Sequence, residues 1–387
     1  MTSPSTYRLR LPGPTDVPER VRAALARPVV NHRGPEFRAV LARAEELLRP
    51  VLGTTHRVLF FATSGTGMME AALANVCAPG DRILVVVHGQ FGERFVAIGR
   101  MLGLEVETAE AAWGEVLPSA TIEEKLRGGA YKAIVAVQNE SSTGVVTDIE
   151  ALGGLARRHS CLLIVDAVSA LGGIEMRQEA WGADIVVSAS QKALMCPPGV
   201  GIASFSRRAE AAFRTEGPNL PFYFGFRRAL DSATKGETAF TAPVNALVAL
   251  CEALEMIEAE GLAAVLARHR RLSDALRAGG VALGLEAFGN HDARSPTVVV
   301  FGVPDDLEGG QIVRQLYEHH GTVIAGARNK LSGRVIRFGV MGHVTEGTIL
   351  TDIVHLAAAL RALGRPVDPG KAVSAVAASL ASRVAPA

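Results

Sequence analysis

The chain has 387 residues, of which 48% are hydrophobic and 20% charged, so it is long enough to bury a large core and suits one big domain plus a smaller one. Its 40 lysines and arginines nearly balance 39 acidic residues, which argues against nucleic acid or an anionic membrane as partner and favours a small molecule. The four cysteines are widely spaced, without a Cys-x-x-Cys pair or histidines at ligand spacing, so neither a metal site nor a disulfide framework is predicted.

The first half of the chain alternates between helical and strand patterns. After a Pro-rich start at residues 11–15, residues 35–52 have the apolar periodicity of a helix. Seven short β-rich runs lie at residues 57–61, 82–87, 104–108, 133–138, 162–165, 185–188 and 201–205. Most are separated by amphipathic or polar segments, so the sequence predicts an α/β fold with a mostly parallel seven-stranded sheet between helices.

The second half has a different pattern. Residues 243–276 are helical and rich in Ala, Leu and Glu, and the strand candidates 297–301 and 334–338 flank a helix near residues 308–320. The Ala-, Ser- and Val-rich tail, 366–387, is interpreted as a docking helix. We predict a large domain over residues 16–258, and a small α+β domain formed by residues 1–15 and 259–387.

Lys192 is the first candidate for a chemical role. It follows the buried run Ile185-Val-Val-Ser-Ala and comes just before a Pro-Pro-Gly turn. A poorly solvated lysine favours its neutral amine, which is the form that condenses with an aldehyde, and the neighbouring Gln191 can hold a phosphate. Taken alone, a lysine after a strand is more often structural or exposed.

Two further segments carry polar groups at predicted strand ends. Asp166 ends the run Leu162-Leu-Ile-Val-Asp, where the ligands of open α/β sheets collect, and its carboxylate suits a protonated pyridine nitrogen. In Thr63-Ser-Gly-Thr-Gly a strand meets a helix, and the hydroxyls of Ser64 and Thr66 with the helix amides suit a phosphate dianion. Singly, an aspartate like Asp166 is more often a helix cap or turn residue, and the Ser/Gly turn is weak evidence because Ser and Gly also simply cap helices. Together with Lys192, 26 residues after Asp166, they describe one site.

With these segments the sequence strongly resembles the class V aminotransferases of fold-type I, and specifically their alanine/serine–glyoxylate aminotransferase branch. The resemblance runs from about Leu11 to Leu363. Its most specific pieces are Ser-Gln-Lys-Ala with Pro-Pro-Gly at 190–199, Val-Asp-Ala-Val-Ser-Ala-Leu-Gly-Gly at 165–173, Glu-Ser-Ser-Thr-Gly at 140–144 and Arg-Phe-Gly at 337–339.

The resemblance implies a role for each matching residue around the cofactor pyridoxal 5'-phosphate. Lys192 is expected to carry it as a Schiff base and to shuttle the proton, with Asp166 on the pyridine nitrogen. The expected phosphate contacts are Ser64, Gly65, Thr66 and Gln191. Around the ring the resemblance implies Phe91 stacked on one face, Val168 packed on the other, and Ser141 toward the 3-oxygen. Phe91, Ser141 and Val168 also suit plain core or turn positions.

Three more positions are implied to act on the substrate or from a second subunit. Arg337 matches the arginine that grips the substrate α-carboxylate, although a lone arginine there suits a surface salt bridge equally well. Gly13 resembles the N-terminal segment that folds over the substrate. Thr241 matches a threonine that reaches the phosphate from the partner subunit, which implies a homodimer. Some members of the family have a tyrosine at the position of Thr238, so no phosphate contact is assigned to this threonine. His32 and Arg33 fit a helix-entry loop better than the cleft.

We therefore expect a pyridoxal-phosphate-dependent aminotransferase that moves the amino group of alanine or serine to glyoxylate or pyruvate by a ping-pong mechanism. A 2-aminoethylphosphonate or ureidoglycine aminotransferase is the alternative. A cysteine desulfurase-like lyase is disfavoured, because no cysteine lies between Phe301 and Ala387. A binding protein that keeps the fold without turnover is disfavoured by the presence of Lys192 and Asp166. Residues 1–10 lack the apolar core of a signal peptide, so a cytoplasmic protein is expected.

Overall fold

The computed structural model describes residues 7–215 and 221–382 of the chain. The strands are β1 Arg8–Leu9, β2 Val58–Thr63, β3 Arg82–Val87, β4 Glu105–Glu110, β5 Ala133–Val137, β6 Asn139–Glu140, β7 Val145–Val146, β8 Leu162–Asp166, β9 Ile185–Ala189, β10 Gly199–Phe205, β11 Glu286–Ala287, β12 Val298–Gly302, β13 Thr322–Val323, β14 Ala325–Gly326 and β15 Val335–Gly339.

The α-helices are α1 Glu19–Leu25, α2 Pro35–Leu52, α3 Gly65–Val76, α4 Gln90–Met101, α5 Ser119–Arg127, α6 Ile149–Arg158, α7 Gln178–Trp181, α8 Arg207–Thr215, α9 Phe226–Ala233, α10 Val244–Glu260, α11 Leu262–Ala282, α12 Gly309–His320, α13 Glu346–Ala362 and α14 Pro369–Ala381. Short 3-10 turns lie at His291–Ala293 and Asn329–Leu331.

A seven-stranded sheet with the order β2-β10-β9-β8-β5-β3-β4 forms the centre of the fold. The strands from β9 to β4 are paired in parallel, whereas β10 runs antiparallel to both β9 and β2. The predicted mostly parallel sheet is confirmed, with β10 as the exception. Because β2 points the same way as the parallel strands, the carboxyl ends of β2, β3, β5, β8 and β9 meet at one edge.

Both faces of this sheet are covered by helices, which explains why its strands, apart from the polar edge strand β4, are apolar at most positions. In β3, Leu84 and Val86 belong to the core under α2, α6 and α10, whereas Ile83, Val85 and Val87 belong to the core under α3, α4, α8 and α9. A two-sided strand cannot show the alternation of polar and apolar residues that marks a half-exposed strand. The polar residues therefore concentrate just beyond the strand ends.

The C-terminal part contains a four-stranded antiparallel sheet of order β11-β12-β15-β14, packed with α11, α12, α13 and α14. The N-terminal segment lies against this part, since β1 pairs with β13 and Arg10 forms a buried ion pair of 2.6 Å with Asp352. The predicted tail helix is α14, which packs on α11 and α13, and residues 383–387 lie outside the described residues.

The helical stretch predicted at residues 243–276 is divided into two helices. Gly261 has a φ of +86°, which favours glycine, and it separates α10 from α11. Helix α10 packs on α1 and α2, whereas α11 packs on α13 and α14. The domain limits of 16–258, with 1–15 and 259–387, stay a prediction, and 1–6 and 383–387 lie outside the part that the structure describes. No helix within the described ranges is long and apolar enough to cross a membrane.

Candidate active site

A cavity lies beside the common edge where the parallel strands end. It is lined by Ser64, Gly65, Thr66, Met69, Phe91, Arg94, Val137, Asn139, Ser141, Asp166, Val168, Ser169, Gln191 and Lys192. The structure therefore brings together every residue that the sequence analysis placed on the phosphate, the ring or the Schiff base, with Thr241 as the one exception. These residues come from five separate segments of the chain, which only the topology of the sheet unites.

Lys192 is almost fully buried in this cavity, with a relative exposure of 9%. Its Nζ donates a hydrogen bond to the carbonyl oxygen of Pro12, which belongs to the N-terminal segment. Burial is the main cause that lowers the pKa of Lys192 to about 8; the charge of Asp166 opposes the shift, and the charges of Arg337 and Arg94 add to it. A much larger fraction of Lys192 is therefore neutral and nucleophilic near pH 7 than for an exposed lysine.

Asp166 is the last residue of β8 and is also buried. Burial raises the pKa of Asp166 to about 6, against the hydrogen bond from the Val168 amide and the charges of Lys192 and Arg94. Oδ1 accepts that amide hydrogen bond at 2.7 Å, and Oδ2 has no hydrogen-bond partner among the described residues. A cationic N–H group in the cavity would both satisfy this oxygen and keep the carboxylate charged.

The turn from β2 into α3 presents donors to the cavity. Ser64 is the N-cap of α3, and its Oγ accepts a hydrogen bond of 3.3 Å from the amide of Gly67. The first turn of α3 contains no acidic side chain, so the positive end of the helix dipole is not neutralised there. A Cβ on Gly65 would lie 2.8 Å from Val168 Cγ2, so only glycine lets the turn approach Val168 this closely. These features suit a phosphate group.

Glu140 fixes the wall of the cavity that carries Phe91. Its carboxylate is fully buried, and Oε2 accepts hydrogen bonds from the amides of Phe91 at 3.0 Å and Gly92 at 3.1 Å. Its Oε1 accepts from the Oγ of Ser142 at 2.5 Å and from the amide of Ser142 at 3.2 Å. Burial raises the pKa of Glu140, and the four hydrogen bonds oppose that shift by stabilising the charged form. The start of α4 is thus held at a defined position beside the cavity.

Arg337 lies in β15, outside the lining of the cavity, and its positive charge contributes to the lowered pKa of Lys192. Its Nε and Nη2 donate to the carbonyl of Gly326 at 3.1 and 2.8 Å, and its Nη1 donates to the carbonyl of Ser141 at 2.7 Å. Burial lowers the pKa of Arg337 to about 10, so the side chain stays charged at neutral pH. The two carbonyls orient the guanidinium and leave two of its five N–H groups for a ligand.

The other predicted positions are divided between the N-terminal segment and a distant surface. Gly13 lies against Lys192, whereas Thr241 lines a different surface cavity with Tyr223 and Thr238. The Oγ1 of Thr238 donates to the carbonyl of Phe240 at 2.7 Å. Arg33 forms an exposed ion pair of 2.5 Å with Glu237, and neither His32 nor Arg33 lines the cavity of Lys192.

Some residues at the cavity were missed by the sequence analysis. Arg94 lies three residues after Phe91 and therefore on the same face of a helix, which is a signal that sequence alone offers. Asn139 and Ser169 come shortly after the ends of β5 and β8, so the strand-end rule would have found them. Within residues 7–215 and 221–382, no group of three or more His, Cys, Asp or Glu side chains is placed to hold a metal ion.

Comparison with known proteins identifies a family for this chain. The family model of aminotransferase class-V matches residues 18–345. A protein named soluble hydrogenase 42 kDa subunit, from Anabaena cylindrica, is 37% identical over 95% of this chain and 97% of its own length. A serine–glyoxylate aminotransferase from Arabidopsis thaliana is 33% identical over 97% of this chain and 95% of its own.

The solved structures agree with the fold. The crystal structure of ureidoglycine-glyoxylate aminotransferase from Bacillus subtilis superimposes with a TM-score of 0.93 and 28% identity, covering 98% of this chain and 99% of its own. The expected large sheet with its smaller C-terminal part is therefore the fold-type I architecture. On the match to the family model and the long relatives, the chain belongs to the class-V aminotransferases.

Proposed function

We propose that the chain is a pyridoxal-phosphate-dependent aminotransferase that moves the amino group of alanine or serine to glyoxylate or pyruvate by a ping-pong mechanism. The observation that carries the proposal is the pairing of Lys192, whose pKa burial lowers to about 8, with the buried Asp166 in one cavity. The family and the names of its relatives support both the reaction type and glyoxylate as acceptor.

The residues of the cavity fit pyridoxal 5'-phosphate. Oδ2 of Asp166 suits the ring nitrogen, and the Ser64–Thr66 turn suits the phosphate at the start of α3. The Oε1 of Gln191 is buried without a hydrogen-bond partner within the described residues, and rotating this amide by a half-turn would present its NH₂ to the phosphate. Phe91 and Val168 supply the two apolar sides of a slot for the ring. When bound, the protonated pyridine ring withdraws electrons from the Cα of the donor.

Lys192 has two tasks in this proposal. Its neutral Nζ would anchor the cofactor by condensing with the aldehyde carbon, which releases water, and the donor amine would set the Nζ free again. As a free amine, this Nζ would move the proton from the donor Cα to the cofactor carbon. The carbonyl of Pro12, which accepts a hydrogen bond from Nζ, gives the freed amine a fixed position during this interval.

Arg337 supplies substrate recognition in the proposal. Alanine, serine, glyoxylate and pyruvate share a carboxylate next to the reacting carbon, so a single guanidinium serves donor and acceptor in turn. Because Ser141 and Gly326 hold the guanidinium at their carbonyls, little side-chain freedom is lost when a carboxylate binds.

The alternative amino donors would be used in the same type of reaction. The structural likeness to a ureidoglycine-glyoxylate aminotransferase favours ureidoglycine as the second candidate, and 2-aminoethylphosphonate stays an alternative from the sequence resemblance. We also propose a homodimer in which Thr241 contacts the phosphate held by the other subunit. A reducing, cytoplasmic location is proposed because the four cysteines are widely spaced in the sequence, without a Cys-x-x-Cys pair.

The test is a spectroscopic titration of the purified protein. With pyridoxal phosphate bound, we expect a visible absorption band that changes on adding L-alanine or L-serine, and a borohydride-reducible adduct that peptide mapping assigns to Lys192. Half-reaction rates with alanine, serine, glycine, aspartate and 2-aminoethylphosphonate then rank the donors. Lys192→Ala should abolish the adduct, whereas the exposed Lys235→Ala should keep it. A spectrum that no small amino acid changes would refute the proposal.

A further inference from the structure

Arg94 is a second cationic side chain that lines the cavity of Lys192. It lies in α4, one helical turn after Phe91, and its guanidinium carbon lies 4.7 Å from the centre of the Phe91 ring. Its Nη1 donates a hydrogen bond of 2.8 Å to the Oγ1 of Thr66. Among the described residues, Arg94 forms no ion pair with a carboxylate. A half-buried guanidinium without an anionic partner, facing a cavity, suits an anionic ligand.

The hydrogen bond to Arg94 determines what the Thr66 hydroxyl can do. A hydroxyl carries one proton, and its oxygen accepts. Because Arg94 has donors only, Oγ1 of Thr66 must be the acceptor in this contact. The Thr66 proton is then available for donation, and no acceptor for it lies among the described residues. A phosphate dianion has only acceptor oxygens, so the contact with Arg94 leaves the Thr66 hydroxyl in the role that a phosphate requires, that of donor.

The charges around the cavity also favour a phosphate as the ligand. The turn from Ser64 to Thr66 contains no charged side chain, and the helix dipole alone gives about half an elementary charge. Of the described residues that line the cavity, Arg94 and Lys192 are the cationic ones. Lys192 becomes occupied by its covalent bond in the proposed function. Arg94 therefore remains as the lining cation that can balance the phosphate.

We propose that Arg94 is a positioning residue for the cofactor phosphate, which orients the hydroxyl of Thr66 as a donor and balances the phosphate charge from the wall of the cavity. The stacking on Phe91 keeps the guanidinium at this wall. This inference rests on the proposed use of pyridoxal phosphate. It is separate from the roles of Lys192 and Asp166, which concern the aldehyde and the ring nitrogen.

The test separates binding of the phosphate from binding of the ring. The cofactor-free full chain is titrated with pyridoxal phosphate and with pyridoxal. The dissociation constant of pyridoxal divided by that of pyridoxal phosphate measures the contribution of the phosphate to binding. In Arg94→Met we expect that ratio to fall by roughly tenfold to a hundredfold, as for loss of a charge-assisted contact. Arg94→Lys should recover part of it. The matched control is Arg100→Met, at an exposed position of the same helix, which should leave the ratio unchanged.

A second variant tests the route through Thr66. Thr66→Val alone should lower the ratio. In a protein that already carries Arg94→Met, the same substitution should lower the ratio by a smaller factor, because both changes remove the same donor. If Arg94→Met weakens pyridoxal and pyridoxal phosphate by the same factor, Arg94 acts only on the ring wall and the inference is wrong. Unchanged binding of both compounds by a folded Arg94→Met protein also overturns it. If the wild-type chain binds neither compound, the proposed function itself fails.

Discussion

Gly13 lies directly against the side chain of Lys192. A Cβ on Gly13 would be 2.6 Å from both Cε and Nζ of the lysine, and the φ of Gly13 is +96°, in the region that favours glycine. The neighbouring Pro12 accepts the hydrogen bond from Nζ. The N-terminal segment, which is tied to the C-terminal part by Arg10 and Asp352, therefore forms one side of the lysine site. Any side chain at position 13 competes with Lys192 for space.

Because of this contact, we expect Gly13→Ala to slow the reaction of Lys192 with pyridoxal phosphate strongly and to lower the stability of the fold only moderately. Displacing a reacting group by about an ångström costs on the order of a hundredfold in rate, so capture of pyridoxal phosphate should slow by about that factor. The positive φ should lower the free energy of unfolding by about 1–2 kcal/mol. Stopped-flow absorbance and urea unfolding measure the two effects.

Gly80→Ala is the matched control, because Gly80 has a φ of +90° and no atom within 4 Å of an added Cβ. It should lose similar stability and keep the normal capture rate. Equal capture rates in the two variants would show that the contact with Lys192 is unimportant.

The pH dependence of cofactor capture should follow Lys192. The neutral amine reacts, so the rate should rise with pH and level off above an apparent pKa of about 8. The charge of Asp166 raises the pKa of Lys192, hence Asp166→Asn should move the inflection to lower pH. Asp148→Asn, at the N-cap of α6, should leave the inflection unchanged, since asparagine also caps a helix. A shift to higher pH in Asp166→Asn would contradict the assigned sign.

Arg337→Lys tests recognition of the carboxylate. An ammonium cannot donate to Gly326 and Ser141 at once while forming a two-point contact with a carboxylate. We expect KM for alanine to rise by about tenfold to a hundredfold, and kcat to change much less. Ethylamine, an alanine analogue without the carboxylate, should react equally slowly in both proteins. Arg334→Lys, at an exposed position nearby, is the control, and a similar rise of KM there would reject the role of Arg337.

Much of the fold, and the residues at the centre of the site, could be predicted from the sequence. Helix α2 and strand β3 have the predicted bounds, because apolar periodicity and two-sided burial leave clear patterns. Lys192 and Asp166 were identified because parallel strands bring their carboxyl ends to one edge, so strand-end residues meet even when they are distant along the chain. The resemblance to a known family then supplied roles that spacing alone leaves open.

The remaining features depend on packing between distant segments. Glu140 reaches the amides of Phe91 and Gly92, and nothing in the local pattern of a buried Glu indicates which amides it will meet. The hydrogen bond from Arg94 to Thr66 joins two helices that come together only in the folded chain. The break at Gly261 was missed because the apolar helical pattern continues on both sides of it.

The proposed sharing of the site between two subunits gives a prediction about mixed dimers. Thr241 lines a surface cavity apart from Lys192, so in a single chain it does not contribute to that cavity. Thr241→Asp would place a negative charge beside the phosphate of the partner and should weaken cofactor binding. Thr234→Asp, also on the exposed surface, should have little effect.

Mixing inactive Lys192→Ala with Thr241→Asp then distinguishes a shared site from separate ones. In a heterodimer of the two, the site built around the intact Lys192 receives its Thr241 from the Lys192→Ala chain and is wild type. After random exchange of equal amounts, about a quarter of all sites should be wild type, and activity should recover to that fraction. Separate sites would give no recovery, because every Lys192 would still belong to a chain whose own Thr241 is substituted.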